Sequence, residues 1–389
     1  MKTKSRTLLL LSPLTLLCSL AMTGQAHAQQ LITFDAPNAG TGAFQGTLPL
    51  GINLEGTITG TVTDSDNGTH GFVRTRDGRY TNFDAPLADP ILGCTCVSSI
   101  NDLGAVAGSA YDSNDVIHGF VRTPDGEFVT FDDSQAPAGT GSFQGTSAVS
   151  INDLGVIAGT YTDANYAVHG FVRTPNGNIT TFDAPASSGY TRVGSINNFG
   201  AIAGQFYGTD GAFHNFVRTA DGKFTVPDPP GAAGGIGTND AYNNDLGAIA
   251  GSYVDPSTDT LNGFLRWPGG DFTEFSAPEA GTGAYTSNGA TSYAGTSPLA
   301  LNLEGTTTGF VASDFDSQGN SLAHAFVRTA DGHASTFDIP GQVTVPNPYG
   351  DGSSGRAINT VGVITGYWND TNYALHGFLR IPRGFGHIP

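Results

Sequence analysis

Along most of the chain, short apolar runs alternate with clusters of Gly, Asp, Asn and Pro, the pattern of many short β-strands joined by tight turns. The cleanest stretch, 150 to 185, reads SINDLGVIAGTYTDANYAVHGFVRTPNGNITTFDAP. It divides into four segments. An inner one ends in IN-x-x-G, and a small apolar strand, GVIAGTY, follows; VHGFVRT comes after the polar turn TDANYA, and a last strand closes on FDAP beyond a reversing turn.

This pattern repeats. The Arg of the Phe-x-Arg core recurs at Arg74, Arg122, Arg173, Arg218, Arg266, Arg328 and Arg380, a spacing of about fifty residues. Ahead of it stand His70, His118, His169, His214, Asn262, His324 and His376. Upstream, an Asn beside a turn Gly recurs at Asn53, Asn101, Asn152, Asn197, Asn243, Asn302 and Asn359, and a further Gly marks the second strand of every copy. Four strands per period of this length is the signature of a propeller blade.

The two ends complement each other. LITFDAP, at 31 to 37, is a final strand with no blade before it, whereas the last copy stops after GFLRIPRG with no FDAP behind it. An N-terminal strand completing the last blade removes an open sheet edge. The prediction is therefore all-β: a seven-bladed β-propeller of four-stranded blades, the last closed by the N-terminal strand. The repeats resemble the HAF-type extracellular repeats of bacterial secreted proteins, named for the triplet that stands here as His324-Ala325-Phe326 and as HGF in four other copies. The resemblance implies this architecture and an extracellular location, and supplies no catalytic residues. Copies five and six depart most, with Asn262 in place of His and Ser276 in place of the FDAP Asp.

The N-terminus adds a location. Lys2, Lys4 and Arg6 precede an apolar run from Leu8 to Leu20 and a small-residue stop at Ala26-His27-Ala28, which reads as a signal peptide over 1–28 followed by a single domain over 29–389. A secreted or periplasmic protein is expected, with no membrane span and as a monomer. Without the leader the formal charge of −18 becomes −21, an acidity that argues against nucleic acid and anionic lipid as partners. Cys94 and Cys96 either form a tight local bridge or stay free. Gly, at 55 of 389 residues, disfavours helices, since each costs about 1 kcal/mol relative to Ala in a helix interior.

A residue present in every blade solves a problem that every blade has. The histidines are thus expected to hydrogen-bond a neighbouring strand or turn, and the arginines to pair with FDAP carboxylates, Arg173 with Asp183 for example. Function is expected where loops converge, on the face that collects the second-to-third turns and the links between blades. Asp64, Asp112, Asp163 and Asp210 in those turns, with Tyr285 and Tyr293 in the long link 280–298, are candidate contacts to an extracellular glycan. Asp314, Asp316, Gln318 and Asn320 resemble the start of a calcium loop, although no Glu follows at the twelfth position. Three functions remain open on this reading: a glycan-binding platform, a scaffold for a surface protein, and a glycan hydrolase or lyase using loop carboxylates.

Overall fold

The computed structural model describes residues 30–89, 94–133, 141–232, 237–287, 290–346 and 352–383. The expected leader, 1–28, lies outside the described residues. These are all-β apart from a single 3-10 turn, Pro230–Ala232. No helix among them is long and apolar enough to cross a membrane.

The strands form antiparallel groups of four, one group per copy of the repeat. In the third they are Gly145–Ile151, Ile157–Thr162, Val168–Arg173 and Ile179–Phe182, each paired with the next. The last group takes its fourth strand from the start of the chain: Gln30–Phe34 pairs antiparallel with Leu375–Ile381, Ile32 opposite Leu379. Single parallel bridges, such as Gly145 to Ile117, join neighbouring groups into larger open sheets. Gly145 has φ 117° and a Cβ there would strike the Ile117 carbonyl, so only glycine allows this approach.

The core lies between adjacent groups. Phe72, Phe120, Phe171, Phe216, Phe264, Phe326 and Phe378, the Phe of every Phe-x-Arg, are fully buried. Each contributes about 2–3 kcal/mol by burial. Against most of them packs the FDAP-motif Phe of the preceding copy, as Phe131 does edge-on against Phe171 at 6.2 Å. The FDAP-motif Phe of the same copy explains the Gly of HGF: a Cβ on Gly170 would strike the Phe182 ring.

The inner strands are tied together by their asparagines. Asn53 donates through Nδ2 to the carbonyl of Asn101 (3.3 Å), Asn101 to Asn152 (2.9 Å), Asn152 to Asn197 (3.0 Å) and Asn197 to Asn244 (2.9 Å). Asn244 donates to Asn302 (2.8 Å), Asn302 to Thr360 (3.5 Å), and Asn359 back to Asn53 (3.1 Å). The fifth member is Asn244, not the expected Asn243, whose side chain instead bonds Ser195 and the Ala201 carbonyl. Each Asn also builds its own turn: Asn152 Oδ1 accepts the N–H groups of Leu154 and Val156.

Candidate functional site

The turns between second and third strands each rest on one Asp. Asp163 Oδ1 accepts the N–H groups of Asn165 (2.8 Å) and Ala167 (2.9 Å), and Asp112 and Asp64 hold their turns in the same way. Burial opposes ionisation of these three carboxyls, but the N–H donors outweigh it and hold them below the usual carboxylate value. At Asp210 the His214 ring leads, with the Ala212 N–H second, in the same direction.

Five of the six repeat histidines lie between two acids. The ring Nδ1 meets the FDAP-position carboxylate fourteen residues on, as in His70 with Asp84 (2.6 Å), His118 with Asp132 (2.9 Å), His169 with Asp183 (2.8 Å) and His214 with Asp228 (2.6 Å). His324 meets Asp338 (2.7 Å), and His376 meets Asp35 (2.9 Å), carried by the N-terminal strand. On the other side, Nε2 of His70, His118, His169, His214 and His376 faces the turn Asp at 3.0 to 3.8 Å. The histidines thus serve strand and turn, as expected. In copy five the pair changes as a unit, Ser276 Oγ donating to Asn262 Oδ1 at 2.8 Å.

Among the described residues the expected Arg173–Asp183 pair does not form, because His169 takes that carboxylate. The arginines lie instead over the Phe of the preceding copy: Arg173 over Phe131 at 4.5 Å, Arg122 over Phe83 at 4.9 Å, Arg218 over Phe182 at 4.8 Å, Arg328 over Phe275 at 4.9 Å. Burial pulls the Arg173 guanidinium below its ordinary range. Cys94 and Cys96 are bridged to each other.

The remaining sequence candidates separate. Tyr285 and Tyr293 sit on opposite strands of a hairpin, Ala284–Ser287 with Ala290–Tyr293, inserted in the long link. Tyr285 packs on Phe315 of the next turn at 5.9 Å, which covers one ring face. Tyr293 is half-buried; burial, aided by Asp259, raises its hydroxyl. Asp316, Gln318 and Asn320 meet in one turn, where Asp316 accepts both backbone N–H groups (2.8 and 2.9 Å) and the Asn320 amide (2.9 Å). Asp314 faces elsewhere, accepting from Thr282 N–H of the link at 2.7 Å. Among the described residues no group of three His, Cys, Asp or Glu side chains is placed to hold a metal ion.

Two features of the site were missed in the sequence. The first is aromatic. Phe44, Phe143 and Tyr166 are 50%, 62% and 62% exposed and sit at φ 64°, 63° and 62°. Phe44 N–H bonds the Tyr373 carbonyl and Phe143 N–H the Asp115 carbonyl, so link and turn lock each other across the seam between copies. Bulky residues rarely adopt positive φ, and Tyr166 holds a position where other copies use Asn67 or Asp115. The AGTGAFQGT and AGTGSFQGT links carried this signal as recurring aromatics between glycines.

The second is a set of cavities between the inner strands. A cavity of about 320 Å³ lies among the inner strands, lined by Leu50, Ser98, Val149, Gly194, Leu299 and Arg356, with Arg192 and Tyr242 beside them. Those first six residues each fall where the pairing of the inner strand with its neighbour skips one position. A bulge of this kind re-aims a side chain, here into the cavity. At the asparagine end of the same strands lie cavities of about 190 and 180 Å³ lined by Asp102, Asp153 and Asp245. Burial raises the Asp102 carboxyl against the opposing Leu54 N–H, and Asp153, Asp245 and Glu55 push it further. The cavities at the asparagine end are therefore acidic, and the larger cavity has Arg192 and Arg356 in its lining.

The sequence matches no family model and no curated protein. In structure the chain is similar to virginiamycin B lyase from Staphylococcus aureus, with a TM-score of 0.53 and 15% identity over 91% of this chain and 100% of that one. A catalytically inactive variant of that enzyme with quinupristin gives the same values. The BP39L lectin from Burkholderia pseudomallei aligns at TM-score 0.49 and 10% identity over 94% and 99% of the two chains. The likeness to the lyase is one of all-β fold.

Proposed function

We propose that the chain is an exported, closed seven-bladed β-propeller of the HAF type that binds an extracellular polysaccharide on its loop face. The asparagine chain that returns from Asn359 to Asn53 and the pairing of Gln30–Phe34 with Leu375–Ile381 support closure into a ring. The leader over 1–28 carries the protein out of the cytoplasm, where it acts as a monomer. Binding rather than hydrolysis is favoured because the turn carboxylates already serve their own turns and histidines.

The observation that carries this reading is the set of exposed aromatic side chains held at left-handed positions, Phe44, Phe143 and Tyr166. Exposed rings carried on locked turns offer stacking surfaces to sugar C–H groups at little loss of side-chain freedom. Retention of the purified protein on a panel of plant and microbial polysaccharides tests it. Asn tolerates positive φ, so the triple variant Phe44→Asn, Phe143→Asn, Tyr166→Asn keeps the turns while removing the rings. Its retention on the bound polymer is expected to fall by roughly tenfold or more, equivalent to about 1.4 kcal/mol. Unchanged retention of a folded triple variant, or release of reducing ends by the wild type, would overturn the reading.

A further inference from the structure

The chain holds 34 acidic and 16 basic residues, and most described basic groups are occupied or, like Arg76 and Arg383, exposed. Arg79 pairs with Asp77 at 2.7 Å and Lys223 with Asp221 at 2.8 Å. The Phe-x-Arg arginines lie over aromatic rings. Arg356 differs: it is half-buried in the wall of the axial cavity, and no hydrogen bond or ion pair joins it to another described residue. In a protein this rich in carboxylates, a half-buried guanidinium with no described carboxylate partner stands out.

Its position is also specific. Arg356 stands at the inner-strand bulge between Gly355 and Ala357, the place held by Leu50, Ser98, Val149, Gly194 and Leu299 in five other copies. The repeat needs no charge there, since those copies fold with neutral side chains. Arg192 lines the same cavity while engaged in an interaction of its own, and the Tyr242 side chain lines it as well. A carboxylate fits this setting, because a guanidinium offers it two parallel N–H donors in a region partly shielded from water.

Polarity along the axis gives direction. The asparagine-end mouth is lined by Asp102, Asp153 and Asp245 and repels an anion. Arg192 lies on its strand before the bulge, toward the loop-face end, opposite Gln205. We infer that the axial cavity is a binding site for the carboxylate of a small organic acid or an acidic sugar, which enters from the loop face and is held by the Arg356 guanidinium. The acidic outer surface makes one charged head group a better ligand than a polyanion lying along the protein. The site is separate from the aromatic surface proposed above.

The test is calorimetric titration of the mature protein with galacturonate, with a short galacturonate oligomer, and with galactose as the neutral control. Wild type and an exposed-arginine control, Arg76→Gln, are expected to bind at least one of the two acids and to bind galactose roughly tenfold more weakly or not at all. Arg356→Gln is expected to lose roughly tenfold or more in affinity for the acid. Should it fail to fold, Arg356→Lys keeps the charge without the fork and is expected to bind with intermediate affinity. Monomer binding identifies a free small acid as the ligand, and oligomer-only binding the terminus of an acidic polysaccharide; both sustain the site. Affinity within about twofold of wild type in folded Arg356→Gln, or no acid binding by the folded wild type, overturns it. The aromatic triple variant, which lacks polysaccharide stacking, is expected to keep its affinity for the acid, so the two readings fail separately.

Discussion

The third and fifth copies of the repeat solve the same problems with different residues. In the third, His169 joins Asp183 at 2.8 Å and stacks on Tyr161 at 4.7 Å, and Arg173 lies 4.5 Å over Phe131 of the copy before. In the fifth, Asn262 and Ser276 replace the His–Asp pair. Tyr253, the counterpart of Tyr161, donates to Glu274 at 2.9 Å, and Glu274 also accepts the Gly231 N–H. Arg266 finds no Phe in the copy before, where Pro227 holds that place, and rests 5.8 Å over Phe272 of its own copy. Phe171 and Phe264 are both 0% exposed. The polar repeat residues are thus exchangeable in matched pairs, whereas the buried Phe is kept in every copy.

If that contrast holds, the largest and most even effects belong to the core. Phe171→Ala and Phe264→Ala are each expected to destabilise by about 3–5 kcal/mol through lost burial and a residual cavity. Urea midpoints measure this, and a wide gap between the two variants would break the claim that both copies share one core.

Smaller effects should follow the pairs. His169→Asn and Asp183→Ser alone are each expected to cost about 1 kcal/mol, leaving a polar group without its partner. Together they recreate the pair of copy five, and a double-mutant cycle should return most of that loss. Strict additivity of the two would show that Asn262 and Ser276 are not a substitute.

The same contrast predicts a pH dependence. At His70 and His214 burial opposes protonation, but the flanking carboxylates outweigh it, and at His376 the Asp35 bond leads; all three rings are raised above 6.5. Their contribution is therefore complete below about pH 6.5, the unfolded value, and is lost as pH rises through the raised folded value. Asp64 and Asp210, lowered from 3.8, act oppositely, their contribution being lost only as pH falls through their folded values. Urea midpoints should fall as pH climbs from about 6 to about 8.5, and the triple variant His70→Asn, His214→Asn, His376→Asn should flatten that slope. An unchanged slope would remove the histidines from the account.

The smallest effect is a gain. Pro227→Phe would give Arg266 the platform its counterparts have, worth about 0.5–1 kcal/mol. A loss of stability would mean that the proline is needed where it stands.

Much of this was within reach of the letters alone. In the third copy Arg173 lies opposite Ile179, and carrying that hairpin register outward sets His169 against Asp183. The misassigned Arg173–Asp183 pair came from matching charges without counting the register. Asn243 and Asn244 are adjacent, and only tertiary hydrogen bonds show that Asn244 is the one that joins the next copy. The turn aspartates are captured by N–H groups two and four residues on, which limits their use as ligand contacts.

The sequence by itself determined the strands, the turns and the matching of the two chain ends, because apolar alternation, turn chemistry and repetition act over a few residues and recur with every copy. Only the tertiary structure decided which side chains face the axis. That depends on one-residue bulges in strands from separate copies meeting around a common cavity, and so on the sum of inter-copy packing rather than on any local pattern.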